Sequence, residues 1–148
     1  MGLDIYFAKA KRSAYYKYQE DEREFDKLSE EEKEEIWAKN EQPKIEGNEE
    51  IGYFRKVNFL MQELAYYGNC EFKEITRDSL EELKRKCLAV LENHELAEDL
   101  LPTCSGFFYG STEYDEWYFQ DVQAVLDWVE GVLENLAGDE VVLMYCWW

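Results

Sequence analysis

The sequence predicts an α+β fold, and three stretches carry that expectation. The opening Leu3 to Lys11, LDIYFAKAK, sets Leu3, Ile5 and Phe7 against Asp4 and Tyr6, the two-residue alternation of a half-buried strand. The closing Val141 to Trp148, VVLMYCWW, has the β-branched and aromatic character of a second strand. Before it, Tyr118, Val122, Val125, Val129, Val132, Leu133 and Leu136 recur at helical spacing, the apolar stripe of a long helix ended by Gly138. Neither terminal strand is stable alone. The two are therefore expected to pair in one mostly antiparallel sheet covered by about three helices, within a single domain spanning residues 1–148.

The remaining elements follow in order. Ser13 to Gln19 places Tyr15, Tyr16 and Tyr18 among bases and reads either as a hairpin extension of the first strand or as a loop. Ser29 followed by Glu32 is a capping box for a helix to about Lys39, with Leu28, Ile36 and Trp37 as its only apolar anchors. Gln42-Pro43 and Gly47-Asn48 break the chain, so residues 20–50 read as a peripheral acidic helical insertion. Ile51, Phe54, Met61, Leu64 and Ala65 stand at helical spacing and predict a core helix from Ile51 to Tyr67, stopped by Gly68-Asn69. Cys70 to Ile75 alternates as a short strand. Asp78-Ser79 then opens a helix whose face is Leu80, Leu83, Cys87, Leu88 and Leu91.

Charge is the strongest compositional feature. The chain has 34 acids and 16 bases, a net charge of −18. Residues 20–50 alone carry 14 acids and five bases, and no Lys or Arg follows Lys86. Direct nucleic-acid binding is disfavoured by that balance, and a basic partner or a cation is favoured. No apolar run approaches the ~20 residues of a bilayer span and no signal peptide opens the chain, so no membrane association and a cytosolic location are expected. Cys70, Cys87, Cys104 and Cys146 are scattered without a C-x-x-C pair, and His94 is the single histidine. Reduced cysteines, no metal and no cofactor are the expectation.

Leu100 to Phe119, LLPTCSGFFYGSTEYDEWYF, reads as a site. Pro102 ends the preceding helix near Leu100, and Phe107, Phe108 and Tyr109 have the character of a short strand between Gly106 and Gly110. Ser111 or Thr112 offers an N-cap to the long helix, with Glu113, Asp115 and Glu116 in its first turn. The carboxylates would repel a phosphate and favour a hard cation or an amine. Arg55 is one of the few bases able to meet them.

The opening MGLDIYF, the segment YFRKVNFL, the LLPTCSGFFYGSTEYDEWYF run and the aromatic C-terminus together resemble a family of small acidic proteins encoded by bacteriophages and prophages. Members of that family begin MGLDMYL and carry W-R-K-A-N-x-I-H and LLPTxSGFFFGSTxYDExY. The resemblance implies a bacterial host cell and points to Asp4, Gly106, Gly110 and Trp148, and to the ligand-binding candidates Arg55, Lys56, Asn58, Asn69, Ser111, Thr112, Tyr114, Asp115 and Glu116. Phe54 replaces the family tryptophan, Met61 stands where its histidine falls, and Cys146 and Trp147 replace serines. Loss of that histidine removes a general base.

Three functions are compatible with these features. The first is a binding protein acting through its acidic surface on a basic protein partner, as a mimic of nucleic-acid charge or an inhibitor of a host system. The second is a small enzyme or ligand-binding domain with a pocket of Arg55, Asn58, Tyr114, Asp115 and Glu116. The third is an accessory that self-assembles through Trp147 and Trp148. Composition favours the first.

Overall fold

β1 (Asp4–Lys11) runs through the middle of the sheet, and β4 (Glu140–Trp147) lies antiparallel beside it, from Asp4↔Trp147 to Lys11↔Glu140. The computed structural model describes residues 2–106 and 108–148. β2 (Glu49–Arg55) flanks β1 and β3 (Phe72–Ile75) flanks β4, giving the order β2-β1-β4-β3 with every neighbour antiparallel. The fold is α+β, with the first and last strands paired.

Strand alternation sends Leu3, Ile5 and Phe7 together with Val142, Met144 and Cys146 to one face, where all are fully buried. Two helices cover that face. α4 (Arg77–Glu92) contributes Leu80, Leu83, Cys87 and Val90, and α6 (Glu116–Asn135) contributes Val122, Val125, Leu126 and Val129. Leu88, assigned to the buried stripe of α4 by spacing, is exposed, and Val90 takes its place in the core. A 3-10 turn, His94–Leu96, and α5 (Ala97–Leu100) bring the chain to Leu101 and Pro102, where the helix stops as proline requires.

One end of the opposite face is covered by α1 (Arg12–Asp26). Ser13 to Gln19 is therefore neither a hairpin extension nor a loop. Tyr15, Tyr18, Glu22 and Phe25 recur at helical spacing on its inward side, and Tyr15 packs with Ala10, Val141, Leu143 and Ile45 in a second, smaller core. α2 (Glu30–Ala38) opens with the expected capping box. Ser29 Oγ accepts from the Glu32 amide at 3.2 Å, and the Glu32 carboxylate accepts from the Ser29 amide at 3.5 Å. The acidic segment is tied to the sheet at both ends, because α1 starts before it and Ile45, 5% exposed, packs in the second core. Trp37, by contrast, is 59% exposed. Ile45→Ala is expected to cost about 2 to 4 kcal/mol, and Trp37→Ala less than about 0.5 kcal/mol, in urea unfolding.

The helix expected over Ile51 to Tyr67 is instead β2 followed by α3 (Phe59–Glu63). Helical spacing of Ile51, Phe54 and Met61 coincided with a strand whose β-branched and aromatic residues pair with the open edge of β1. Lys56 sits at φ +59° and ends the strand, because a left-handed residue cannot continue a pleat. Phe108 and Tyr109 form no strand either. Phe108, at φ +65°, is part of a loop, and Phe107 lies outside the described residues.

Candidate functional site

One side chain ties together three separate points of the loop from Leu101 to Asp115. Asn58, the only buried polar residue among those described, donates from Nδ2 to the carbonyls of Tyr109 at 3.1 Å and Ser111 at 2.9 Å, and its Oδ1 accepts from the Cys104 amide at 3.0 Å. Three backbone groups far apart in the loop thus meet on one amide. The Tyr118 hydroxyl donates to the Leu101 carbonyl at 2.7 Å, and the Tyr114 hydroxyl accepts from the Thr103 amide at 3.1 Å. Thr103 in turn donates to the Thr112 carbonyl at 3.0 Å. The loop also clips onto the chain start. The Leu3 amide donates to the Phe108 carbonyl at 2.8 Å, while the Lys56 amide donates to the Leu3 carbonyl at 2.7 Å.

The cap of α6 is Asp115, whose Oδ1 accepts from the Tyr118 amide at 3.1 Å, in place of the expected Ser111 or Thr112. Ser111 instead turns its hydroxyl to the Glu113 amide at 3.0 Å, which leaves Glu113 ahead of the helix and Glu116 in its first turn. Arg55, Lys56, Asn58, Ser111 and Asp115 do come together, around a cleft of about 160 Å³ that Glu113 and Asp121 also line. Thr112, Tyr114 and Glu116 lie outside that lining. Asn69 is exposed in the turn before β3, beside Cys70.

Arg55 forms no ion pair with Asp115 or Glu116 within 4 Å. Arg55→Met and Asp115→Asn are accordingly expected to add within about 0.5 kcal/mol in a double-mutant cycle. Arg55 acts instead toward Asp4. The Tyr53 hydroxyl and the Trp147 indole N–H donate to the two Asp4 oxygens at 2.5 and 2.8 Å, and with Arg55 nearby they hold that carboxyl below its ordinary value.

Asp121, which sequence reasoning did not single out, shows the opposite shift. Burial, with the Asp115 charge beside it, raises its carboxyl above the ordinary 3.8. A raised acid destabilises the fold at neutral pH, and the penalty is relieved as pH falls through the raised value. Asp121→Asn should therefore stabilise at pH ~7 by less than about 1 kcal/mol after solvent screening, with the gain gone below 3.8. Thermal melts of both proteins across that range measure it.

Burial pushes the Cys87 and Cys146 thiols up to about 12, so neither supplies a thiolate at neutral pH. His94 is exposed and stacks on Phe119 at 3.7 Å between ring centres. Among the described residues no group of three or more His, Cys, Asp or Glu converges as a metal set, and no helix is long and apolar enough to cross a membrane.

The acidic segment presents a different kind of surface. Its ion pairs are Lys17 with Asp21, Lys27 with Glu24, Lys33 with Glu30 and, across the sheet, Lys9 with Glu49, and among the described residues most of its carboxylates have no cation within 4 Å. At the chain end Trp147 is 55% exposed, whereas Trp148 is half-buried against Tyr109 at 5.3 Å. No protein-family model, curated protein or solved structure matches the chain.

Proposed function

We propose that the protein is a binding protein that acts on a protein partner with a basic surface, in the manner of a phage-type accessory that mimics nucleic-acid charge or inhibits a host system. The observation that carries this reading is the acidic surface of residues 20–50, most of it on α1 and α2, where 14 acids stand against five bases and Trp37 lies exposed among them. Such a field raises encounter rates with cations, and an exposed tryptophan supplies the apolar anchor that charge alone lacks. A pocket function has less support. The cleft beside Asn58 is below the roughly 300 Å³ of ordinary ligand sites, and the amide that would orient a ligand is spent on the loop itself.

The test is capture from a bacterial lysate by the full chain, compared with a variant carrying Glu30, Glu31, Glu34 and Glu35 changed to Gln and with Trp37→Ala. A basic protein retained by the parent and lost from both variants is the expected result. Retention that is unchanged by neutralising the four acids would remove the acidic surface from the explanation.

A further inference from the structure

The sheet face opposite the main core is covered at one end only. Tyr15 and Ile45 bury Ala10, Val141 and Leu143, and Tyr18 packs on Phe72. Beyond them the register builds one row across all four strands. Tyr53 pairs with Tyr6, Tyr6 with Tyr145, and Tyr145 with Phe72, so every position of the row is aromatic. Tyr6 and Tyr53 lie 5.0 Å apart with rings tilted by 38°, and Phe72 and Tyr145 lie 5.0 Å apart with a tilt of 50°. Asp4, in the next row, ties down the Tyr53 hydroxyl.

The row on the other side is Glu50, Ala8, Leu143 and Glu74. Ala8 leaves a gap there. A groove of about 280 Å³ opens at it, lined by Tyr6, Phe72, Tyr145, Leu143 and Glu50 among others, with a carboxylate but no Lys or Arg. Aromatic faces around a lone carboxylate suit a cation, and a guanidinium suits them best because it is planar, weakly hydrated and able to stack and to pair bidentately at once. An aromatic row on an open sheet can also stack nucleobases, but that mode needs cations for the phosphates, and this groove has none in a chain of net charge −18.

We propose that this groove receives an arginine side chain of the partner protein, stacked against Tyr6 and Tyr145 and paired with Glu50. The inference rests on the reading of the partner as a basic protein, and it adds to the acidic helices a second contact on the sheet.

The test is an amide NMR titration of the full chain with a blocked Gly-Ser-Arg-Ser-Gly peptide, its citrulline counterpart and an oligothymidine hexamer. The arginine peptide should give saturable shifts at Tyr6, Ala8, Leu143 and Tyr145, with a dissociation constant on the order of millimolar for so small a ligand. The citrulline peptide should bind about tenfold more weakly, as should the Glu50→Gln protein. Ala8→Phe, which fills the groove, should abolish the shifts, and the citrulline comparison decides the matter in the parent protein if that variant fails to fold. No saturable shift in the groove, shifts confined to α1 and α2, or equal shifts from the citrulline peptide or the oligonucleotide would each overturn the proposal. Because the peptide carries a single charge, the groove can fail while lysate capture by the acidic helices succeeds, and the reverse.

Discussion

Replacing Asn58 with alanine is expected to cost about 3 to 4 kcal/mol, more than any other polar substitution in the molecule. The side chain is 3% exposed and every hydrogen-bonding partner it has is backbone, so its loss strands the Tyr109 and Ser111 carbonyls and the Cys104 amide together. Each orphaned group costs about 1 to 3 kcal/mol when dry, and the half-buried setting of Tyr109 and Cys104 lets water recover part of that. Asn58→Asp should be at least as harmful despite its shape, because it replaces two donors by an oxygen facing two carbonyl oxygens. The damage should also be local before it is global. Since the Leu3 amide is bonded to Phe108 of the same loop, its hydrogen exchange should accelerate in Asn58→Ala under conditions where β4 amides stay protected. A loss under about 1 kcal/mol with unchanged exchange at Leu3 would show that the loop is held by something other than this amide.

That keystone was half legible in the sequence. Asn58 stood among the ligand-binding candidates, but its partners are backbone groups some 50 positions away, and no side-chain pattern announces them. Asp115 was flagged as a first-turn acid and proved to be the cap itself, a shift of a few residues that propensity cannot resolve. The strand β1 and the helices α4 and α6 were readable because each buries one face more than the other, which prints the period on the sequence, whereas β4, buried on both faces from Val141 to Met144, was readable from its β-branched and aromatic composition. β2 misled because Ile51, Phe54 and Met61 satisfy a helical spacing by coincidence, and only the unpaired edge of β1 decides between the two. α1 was available in the Tyr15, Tyr18, Glu22, Phe25 spacing, yet its polar residues hid the stripe. The aromatic row on the open face could not be read at all, since Tyr6, Tyr53, Phe72 and Tyr145 become neighbours only through the strand register.

The second large effect is expected at Gly52, where adding a single methyl should cost about 2 to 3 kcal/mol although alanine is the better strand residue. Gly52 faces the main core opposite Phe7, and the Trp128 indole lies directly over it. A Cβ built there would collide with Trp128 Nε1 and stand 3.0 Å from two carbons of the same rigid ring, so the indole would have to move. Moving it breaks the hydrogen bond from Nε1 to the Ile51 carbonyl, 2.8 Å, and disturbs the Phe7 contact at 4.2 Å between ring centres. The glycine is therefore a packing requirement of α6 against the β2 edge, and its conformational freedom plays no part. Trp128→Leu should itself destabilise by about 2 to 4 kcal/mol, but in that background Gly52→Ala should cost less than about 0.5 kcal/mol, because the obstacle is gone. Urea unfolding of the two single variants and the double variant measures the coupling. If the methyl costs the same with and without the indole, the clash is absorbed elsewhere and the seating of Trp128 on the β2 edge owes nothing to Gly52.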